Sequence, residues 1–417
     1  MRLNPKRTST NTYSIFTNYT CNLNCSYCFE KNKLQLVNDK PHVIDYIKYA
    51  YKTDWEKYHS LDQVVKIHLI GGEPFLVPDL IECICDTAIE EQVKYNLHNN
   101  FKVYISSNGT LLSTPEIRKL LIKYKNFIRI GISIDGLKEE HDKYRIDYNG
   151  NGSYDKVVDG IKAALDIFDL SKDSTKVTCK STYSHADIHN WSDGVISLLN
   201  LGIRWVNANY VTEEIWTEEE SEMIADQFFN VTDYLFENDL FHKVNVMQCN
   251  KYPLQSMVNY DVTKLTNLGC SLCRTPKAGH CLGFDGKVYR CHRFITENDD
   301  RYCMGVLEGT DLKITNPELV EKMNCIYDNL PEKCLKCDIS KECFRCTEYL
   351  FSQNYDNPIK FLKESTPPLC GWVTAEVASR YYFKRRLRAQ LGIPEDAPNN
   401  IKLVKKKREV NSNSFNS

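Results

Sequence analysis

Residues 13–28 read YSIFTNYTCNLNCSYC, an apolar strand-like run that passes directly into a polar loop with three cysteines. Cys21, Cys25 and Cys28 are separated by three and then two residues. Thiolates are soft ligands that suit iron–sulfur clusters or zinc. A four-iron cluster normally takes four cysteines and no fourth lies nearby in the sequence, so three ligands would leave one iron open for a substrate or cofactor. The spacing by itself also fits a three-cysteine zinc site or a chance triplet.

Strand-like and helix-like runs alternate through the first half of the chain. Strands are predicted at 13–17, 65–70, 101–106, 127–134, 176–182 and 204–208. Amphipathic helices are predicted between them at 79–95, 115–124, 154–168 and 188–199. Six βα repeats are typical of an α/β fold with a parallel sheet. Because a full eight-stranded barrel needs ~250 residues and the alternation ends near residue 212, the sequence predicts a partial (β/α)6 TIM-like barrel.

Polar or glycine-rich runs follow the first four predicted strands. After the cysteine loop come GGEP at 71–74, SNG at 107–109 and SIDG at 133–136. The carboxyl ends of parallel strands open on one face of a barrel, where such folds place their chemistry. The four loops are therefore expected to meet at one mouth.

The second half of the chain predicts a cysteine-rich region. Eleven of the 18 cysteines fall between Cys270 and Cys370, in a turn-rich stretch with too little apolar periodicity for an ordinary core. Such a stretch is expected to be held together by metal. A helix is predicted at 375–391. The predicted domains are a barrel core at 1–240, a cluster-binding domain at 241–392 and a polar, disordered tail at 393–417.

The composition excludes several classes of function. The 417-residue chain carries 53 Lys+Arg against 55 Asp+Glu, a formal net charge of -2, so the usual electrostatic reason to bind nucleic acid is lacking. Nothing approaches the ~20 apolar residues of a membrane span, and the N-terminus lacks the apolar core of a secretory signal. A cytoplasmic protein is predicted, in which cysteines point to metal binding or catalysis rather than to disulfides.

Two further motifs favour an iron–sulfur site at the N-terminal cysteines. Tyr27 precedes the last of them, and GGEP stands at the next strand end. With these motifs, residues 13 to about 210 resemble the radical S-adenosylmethionine (SAM) enzymes, whose signature is a Cys-x3-Cys-x-aromatic-Cys loop. By that resemblance, Cys21, Cys25 and Cys28 hold a [4Fe–4S] cluster whose open iron binds SAM. The resemblance further implies that an electron, from a donor such as flavodoxin or ferredoxin, cleaves SAM to a 5′-deoxyadenosyl radical that removes hydrogen from a substrate.

The same resemblance implies which residues contact SAM. Tyr27 would lie against the adenine, and the Gly72 backbone would receive the amino group. Ser133 and Arg145 match positions that contact the cofactor in the related sulfatase-maturing enzymes, and Asn108 is a further candidate. Simpler interpretations are a turn for the glycine and the asparagine, a helix cap for the serine and a surface charge for the arginine.

The later cysteines resemble the SPASM extension of radical SAM enzymes, which carries auxiliary [4Fe–4S] clusters. By that resemblance, one cluster would be bound by Cys270, Cys273, Cys291 and Cys346. The other would be bound by Cys334, Cys337, Cys343 and Cys370. The family usually has three residues where this chain has two between Cys343 and Cys346, and Cys281 would be an alternative to Cys270 or Cys273. A pair of zinc ribbons is the alternative for the whole region.

The run Cys291-His292-Arg293-Phe294 bears on the class of substrate. Sulfatase-maturing enzymes carry a catalytic aspartate where this chain has His292, so this histidine is only a candidate base. The run looks more like that of maturases that crosslink ribosomal peptides through thioether or carbon–carbon bonds. Too few residues precede the first strand for a recognition domain, so a separate peptide-recognition protein is a possible partner. Formylglycine formation on sulfatases and a non-catalytic iron–sulfur or zinc scaffold are the alternatives.

Overall fold

A computed structural model of the chain describes most of its residues. The described ranges are 12–28, 30, 34–211, 214–265, 279–296, 299–325, 331–340, 342–343, 346–364 and 369–403. Cys270 and Cys273, both predicted ligands, and the predicted tail beyond residue 403 lie outside them.

The described strands form one eleven-stranded sheet in the order β11-β10-β9-β8-β1-β2-β3-β4-β5-β6-β7. Their bounds are β1 Thr12–Phe16, β2 Lys66–Ile70, β3 Lys102–Ser107, β4 Ile128–Ser133, β5 Val177–Tyr183, β6 Trp205–Tyr210, β7 Asn245–Val246, β8 Gly279–Leu282, β9 Lys287–Tyr289, β10 Gly305–Glu308 and β11 Asp311–Ile314. Neighbouring strands from β1 to β7 are parallel. The prediction of six parallel strands with intervening helices is confirmed, and each observed strand lies within two residues of its predicted bounds.

Helices follow the parallel strands as the alternation predicts. Their bounds are α1 Lys40–Tyr58, α2 Pro78–Lys94, α3 Pro115–Lys123, α4 Lys138–Tyr144, α5 Tyr154–Ile167, α6 Trp191–Asn200, α7 Ser221–Glu237, α8 Met247–Asn250, α9 Leu254–Met257, α10 Arg293–Thr296, α11 Pro317–Cys325, α12 Glu332–Leu335, α13 Thr347–Gln353, α14 Pro358–Glu364 and α15 Cys370–Gln390. Helix α1 was not predicted. It begins where the Asp39 side chain accepts from His42 N at 3.0 Å, a helix cap. In the described ranges, the helices are too short or too polar to cross a membrane.

Alternate residues of the parallel strands face opposite sides of the sheet. One side carries fully buried apolar residues, such as Ile67, Ile105 and Ile132, which belong to the main hydrophobic core. The opposite side, here called the inner face, is more polar. Strand register places these polar side chains on it: Ser14, His68, Ser106, Ser133, Lys180 and Asn207.

The cysteine-rich region shares a sheet and a core with the barrel. Strand β8 pairs in parallel with β1, which joins β9, β10 and β11 to the same sheet. Helix α15 packs along α7, with the rings of Phe383 and Phe236 5.1 Å apart and those of Trp372 and Phe228 5.4 Å apart. It begins at Cys370 rather than at the predicted residue 375. The domain bounds at 240 and 392 stay predictions.

Candidate active site

Backbone hydrogen bonds hold the cysteine loop after β1 to the last residue of α4 and to the segment that follows it. Asn24 N donates to Ile146 O at 2.7 Å, and Ser26 N donates to Tyr144 O at 3.0 Å. The thiols of Cys21, Cys25 and Cys28 are all partly exposed. The loop therefore presents three accessible sulfurs at the carboxyl end of the first strand.

The GGEP run packs directly on this loop. Gly72 N donates to Asn18 O at 2.7 Å, and Glu73 N donates to Thr20 O at 2.9 Å. A Cβ at Gly72 would lie 2.2 Å from Thr20 O and 2.5 Å from Tyr19 O, so only glycine fits there. The Gly72 N–H is used in this packing, and the Gly72 carbonyl oxygen is the backbone acceptor that the predicted contact with the amino group of SAM would require.

We expect Gly72→Ala to weaken SAM binding by at least about tenfold, because the added methyl group must push the GGEP run away from the cysteine loop. Equilibrium dialysis of SAM against anaerobically reconstituted protein measures this. Gly131→Ala is the matched control, since its Cβ would meet no atom closer than Thr178 Oγ1 at 3.6 Å. Equal SAM affinity in the two variants would show that the close packing at Gly72 does not shape the site.

The carboxylate of Glu73 ties the second strand end to the third. It accepts from Phe75 N at 3.0 Å, Ser107 Oγ at 2.9 Å and Asn108 N at 2.6 Å. Burial raises the pKa of Glu73 to about 7, and the three donors oppose that rise. The acid of GGEP therefore has a structural role, which sequence reasoning did not assign.

The Asn108 side chain reaches back to the cysteine loop. Its Nδ2 donates to Asn22 Oδ1 at 2.7 Å and lies 3.8 Å from Cys21 Sγ. Its Oδ1 accepts from Thr110 N at 3.0 Å. The structure thus brings this candidate beside the first cysteine, where it orients the loop.

Tyr27 and Arg145 meet at Asp135, which comes from the end of β4. Arg145 donates from Nε to Asp135 Oδ2 at 2.6 Å and from Nη2 to Oδ1 at 3.0 Å, and the Tyr27 hydroxyl donates to the same carboxylate. The guanidinium carbon lies 5.2 Å from the centre of the Tyr27 ring, within cation–π distance. Thr182 N on β5 also donates to Asp135 Oδ1, at 2.9 Å. Arg145 is therefore a buried, paired residue rather than a surface charge.

Asp135 is the central residue that sequence reasoning missed. It lies in the SIDG run, and a carboxylate directly after a predicted strand end was the available signal. His141 supports its position: His141 Nδ1 accepts from Asp135 N at 3.3 Å, and its Nε2 faces Ser153 Oγ at 2.9 Å. Ser153 Oγ in turn donates to Arg145 O at 2.7 Å, so His141 Nε2–H is the donor to Ser153. Burial, followed by repulsion from Arg145, lowers the pKa of His141 to about 4.

We expect Asp135→Ala to lower the free energy of unfolding by about 3 kcal/mol, because it leaves the buried Arg145 charge without its partner. Urea unfolding of the reconstituted protein measures this. Asp155→Ala, which removes the exposed Lys138–Asp155 pair, is the control and should cost less than about 1 kcal/mol. Similar losses in both variants would contradict the central position of Asp135.

A cavity of about 340 Å³ opens beside Tyr27. Its walls are Ser26, Tyr27, Tyr144, Thr182, Ser184, Ala186, Val211 and Glu214. This volume is in the range of small-ligand sites. Three accessible thiols, a glycine cradle and an aromatic-walled cavity therefore fit a [4Fe–4S] cluster with SAM. Ser133 lies on the inner face at the end of β4, in register with Lys180 and outside the Tyr27–Asp135–Arg145 group.

Four of the later cysteines converge on a second cavity. Cys334, Cys337, Cys343 and Cys370 line it, together with Glu218 and residues of α15. The segment 214–220 borders both cavities, since Glu214 belongs to the first and Glu218 to the second. The predicted ligands of one auxiliary cluster are thus brought together from two separate parts of the chain, the stretch 334–343 and the start of α15.

The other predicted set is described only in part, because Cys270 and Cys273 lie outside the described residues. Cys346 Sγ lies 3.8 Å from Glu348 Oε2, which pairs with Arg293 Nε at 2.7 Å. This places Cys346 close to the segment of Cys291. Cys281 is fully buried in the main core, and burial raises the pKa of its thiol. The buried position of Cys281 is that of a core cysteine rather than of a cluster ligand.

Zinc requires its ligands to converge on one ion. Within the described ranges, no three His, Cys, Asp or Glu side chains are placed to bind a single metal ion. A [4Fe–4S] cluster takes each thiolate through a different iron, so it does not need that convergence. Iron, sulfide and zinc analysis of the protein decides between the cluster and the zinc alternative at these cysteines.

Comparison with known proteins identifies the barrel. Residues 15–182 match the family model described as the Radical SAM superfamily. The cysteine-type anaerobic sulfatase-maturating enzyme of Clostridium novyi is 32% identical over 171 residues, 40% of this chain and 43% of that enzyme. The serine-type enzyme of Bacteroides thetaiotaomicron is 24% identical over 358 residues, 81% of this chain and 82% of that enzyme. The first match thus spans less than half of its relative.

Solved structures show the same fold. The sulfatase-maturating enzyme anSMEcpe with bound AdoMet matches with a TM-score of 0.64 at 16% identity, over 93% of this chain and 96% of that chain. SuiB of Streptococcus suis, bound to its precursor peptide SuiA, matches with a TM-score of 0.51 at 15% identity, over 80% and 71%. Together with the cysteine loop, these matches show that residues 15–182 form a radical SAM domain, of the kind that takes a [4Fe–4S] cluster and SAM as cofactors, within a chain that has the fold of these structures and a cysteine-rich C-terminal region.

Proposed function

We propose that this enzyme modifies a peptide or protein substrate by removing a hydrogen atom after reductive cleavage of SAM. The observation that carries the proposal is the meeting of three strand-end runs at one edge: the cysteine loop, the GGEP run and the SIDG run, whose Asp135 joins Tyr27 to Arg145. The relatives support a peptide substrate, since two are named for maturing sulfatases and SuiB was solved with a precursor peptide.

The cluster and SAM would supply a carbon radical strong enough to break an unactivated C–H bond. The residues of this chain bind, orient and enclose them. Cys21, Cys25 and Cys28 would hold the cluster, and the Gly72 carbonyl would accept from the amino group. Tyr27, which Asp135 joins to Arg145, forms a fixed wall of the neighbouring cavity and would limit the positions that a bound adenosine can take.

The second cavity is proposed to hold an auxiliary cluster on Cys334, Cys337, Cys343 and Cys370. A second auxiliary cluster is proposed on Cys291 and Cys346 with Cys270 and Cys273. An electron donor such as flavodoxin or ferredoxin, and a separate peptide-recognition protein, belong to the same proposal. These clusters would lie beside the barrel rather than at the first cysteine loop. That position suits a role in the modification of the substrate rather than in the cleavage of SAM.

Two reactions on a peptide compete. We favour crosslinking of a ribosomal peptide through a thioether or carbon–carbon bond, because His292 replaces the aspartate that sulfatase-maturing enzymes use as a base. Formylglycine formation on a sulfatase is the second candidate, and the names of the two relatives favour it. The catalytic base stays unassigned, and His292, which follows Cys291 in the sequence, is a candidate.

The experiment gives the anaerobically reconstituted enzyme two kinds of peptide under dithionite with SAM. One is a sulfatase-derived peptide with a central cysteine or serine, and the other is a set of short peptides encoded beside this gene. For the cysteine peptide, mass spectrometry distinguishes an aldehyde, in which oxygen replaces sulfur and two hydrogens are lost, from a crosslink, in which only two hydrogens are lost. For the serine peptide both products lose two hydrogens, so a hydrazine reagent that labels only the aldehyde distinguishes them. Formation of 5′-deoxyadenosine with no change in any peptide would count against a peptide substrate, and an aldehyde would select the second candidate.

A further inference from the structure

Tyr144, the last residue of α4, contacts three parts of the candidate active site. Its backbone oxygen accepts from Ser26 N at 3.0 Å, in the middle of the cysteine loop. The centre of its ring lies 5.5 Å from the centre of the Tyr27 ring. Its hydroxyl donates to Asp187 Oδ2 at 2.6 Å. Tyr144 therefore connects the backbone and the aromatic ring of the cysteine loop to a carboxylate on the loop that follows β5.

Asp187 accepts hydrogen bonds from two elements and is buried, with 7% of its surface exposed. Besides Tyr144 on α4, it accepts from Ser184 Oγ at 2.6 Å, on the loop after β5. A third donor is Lys143 Nζ on α4, at 3.2 Å from Oδ1. Burial acts against the charged form, but the bonds from these three donors lower the pKa of Asp187 below its usual value. At neutral pH Asp187 is therefore an ionised carboxylate.

Two of these donors are walls of the first cavity. Tyr144 and Ser184 both line it, together with Ser26 and Tyr27 of the cysteine loop. The two hydroxyls come from different elements, α4 and the loop after β5, and both donate to Oδ2 of Asp187. The distance between these two walls is therefore set by Asp187. A wall that is held in place costs less free energy of ordering when a ligand binds than a wall that moves.

We propose that Asp187 is a positioning residue for SAM, which acts on the adenosine part of the cofactor through Tyr144. The inference rests on the proposed function, because it needs SAM to occupy the cavity beside Tyr27. Among the described residues, Ser184 and Ala186 line this cavity and Asp187 does not. Asp187 would thus act by holding the walls rather than by touching the cofactor. Without its charge, the Tyr144 hydroxyl would lose a strong acceptor and the ring would be free to shift against Tyr27.

The test measures how tightly SAM binds to anaerobically reconstituted Asp187→Asn, by equilibrium dialysis without a peptide. The substitution keeps the size of the side chain and removes its charge. We expect SAM to bind about tenfold more weakly, the value of one charge-assisted hydrogen bond. In the assay for 5′-deoxyadenosine, KM for SAM should rise by a similar factor while kcat stays within about twofold of wild type, the pattern of a lost binding interaction.

Asp173→Asn is the matched control, at the other end of β5. Asp173 precedes this strand, is partly buried and pairs with Arg129 Nη2 at 2.7 Å. It also accepts from Thr175 N, in this case at Oδ1 and 3.0 Å. Its carboxylate therefore ties a loop to a strand much as Asp187 does, but it is not among the residues that line the first cavity. The control should lower the melting temperature as Asp187→Asn does and leave SAM affinity and KM unchanged.

A double-mutant cycle tests the route through Tyr144. Tyr144→Phe keeps the ring and removes the hydroxyl that donates to Asp187, so it should also weaken the binding of SAM. The double variant with Asp187→Asn should bind SAM within about twofold of Asp187→Asn alone, because both changes break the same hydrogen bond. Should Asp187→Asn fail to fold, the affinity of Tyr144→Phe for SAM decides by itself, and a wild-type affinity there overturns the inference.

The outcomes separate this inference from the proposed function. Unchanged SAM affinity in Asp187→Asn overturns the inference, and so does a fall in kcat with KM unchanged, which is the pattern of a purely structural loss. Equal weakening in Asp173→Asn overturns it as well, as do effects of the two single variants that multiply in the double variant. The proposed function fails on a different result, namely 5′-deoxyadenosine formation with no peptide changed.

Discussion

Cys25→Ala is expected to abolish formation of 5′-deoxyadenosine from SAM under dithionite, down to the level without enzyme. Two thiolates do not hold a four-iron cluster in the orientation that leaves one iron open. The change is small in volume and the side chain is partly exposed, so the fold should survive. The measurement is liquid chromatography of the nucleoside after anaerobic incubation.

Cys83→Ala is the matched control for this prediction. Cys83 lies on α2 and is also partly exposed, and no metal role is proposed for it. The control should form 5′-deoxyadenosine at the wild-type rate. Undiminished cleavage of SAM in the Cys25 variant would show that the first loop does not hold the cluster that cleaves SAM. The proposed radical reaction would then be wrong.

The double variant Cys334→Ala/Cys337→Ala is expected to lose about four of roughly twelve irons per chain, one [4Fe–4S] cluster out of three. Both residues line the second cavity, away from the first cysteine loop. Cleavage of SAM should therefore continue while modification of the peptide stops. Iron and sulfide analysis measures the first effect, and the nucleoside and peptide assays measure the second.

Cys281→Ala is the control for the cavity cysteines, because its thiol is fully buried in the main core. It should keep the full iron content and lose about 1 kcal/mol of stability as a core substitution. An unchanged iron content in the double variant would show that the second cavity holds no cluster. Stoichiometric zinc in the wild-type protein would support the zinc ribbons instead.

The two cavities share a wall, which the segment 214–220 forms. His185, on the loop after β5, lies 3.0 Å from Glu214 Oε2 and 3.1 Å from Glu220 Oε1, and its ring stacks on Trp216 at 4.0 Å. Trp216 O accepts from Gly371 N at 2.9 Å, next to Cys370. The segment 214–220 therefore fastens the edge of the first cavity to the helix that carries a cysteine of the second.

Local patterns in the sequence were enough to predict the βα alternation and the chemistry of the first loop. Burial of alternate residues in each strand and the spacing of Cys21, Cys25 and Cys28 are properties of short, continuous stretches. The same holds for GGEP, whose glycine is required by a contact with the loop that precedes it in the sheet. Such features depend on neighbours in the sequence or on adjacent parallel strands, which the strand order makes predictable.

Only the tertiary structure decided which distant groups meet. Asp135 could not be singled out, because its partners Tyr27 and Arg145 come from other loops and the pairing depends on how those loops fold over the strand end. Cys370 joins Cys334 at one cavity because α15 packs on α7, a contact between helices more than a hundred residues apart in sequence.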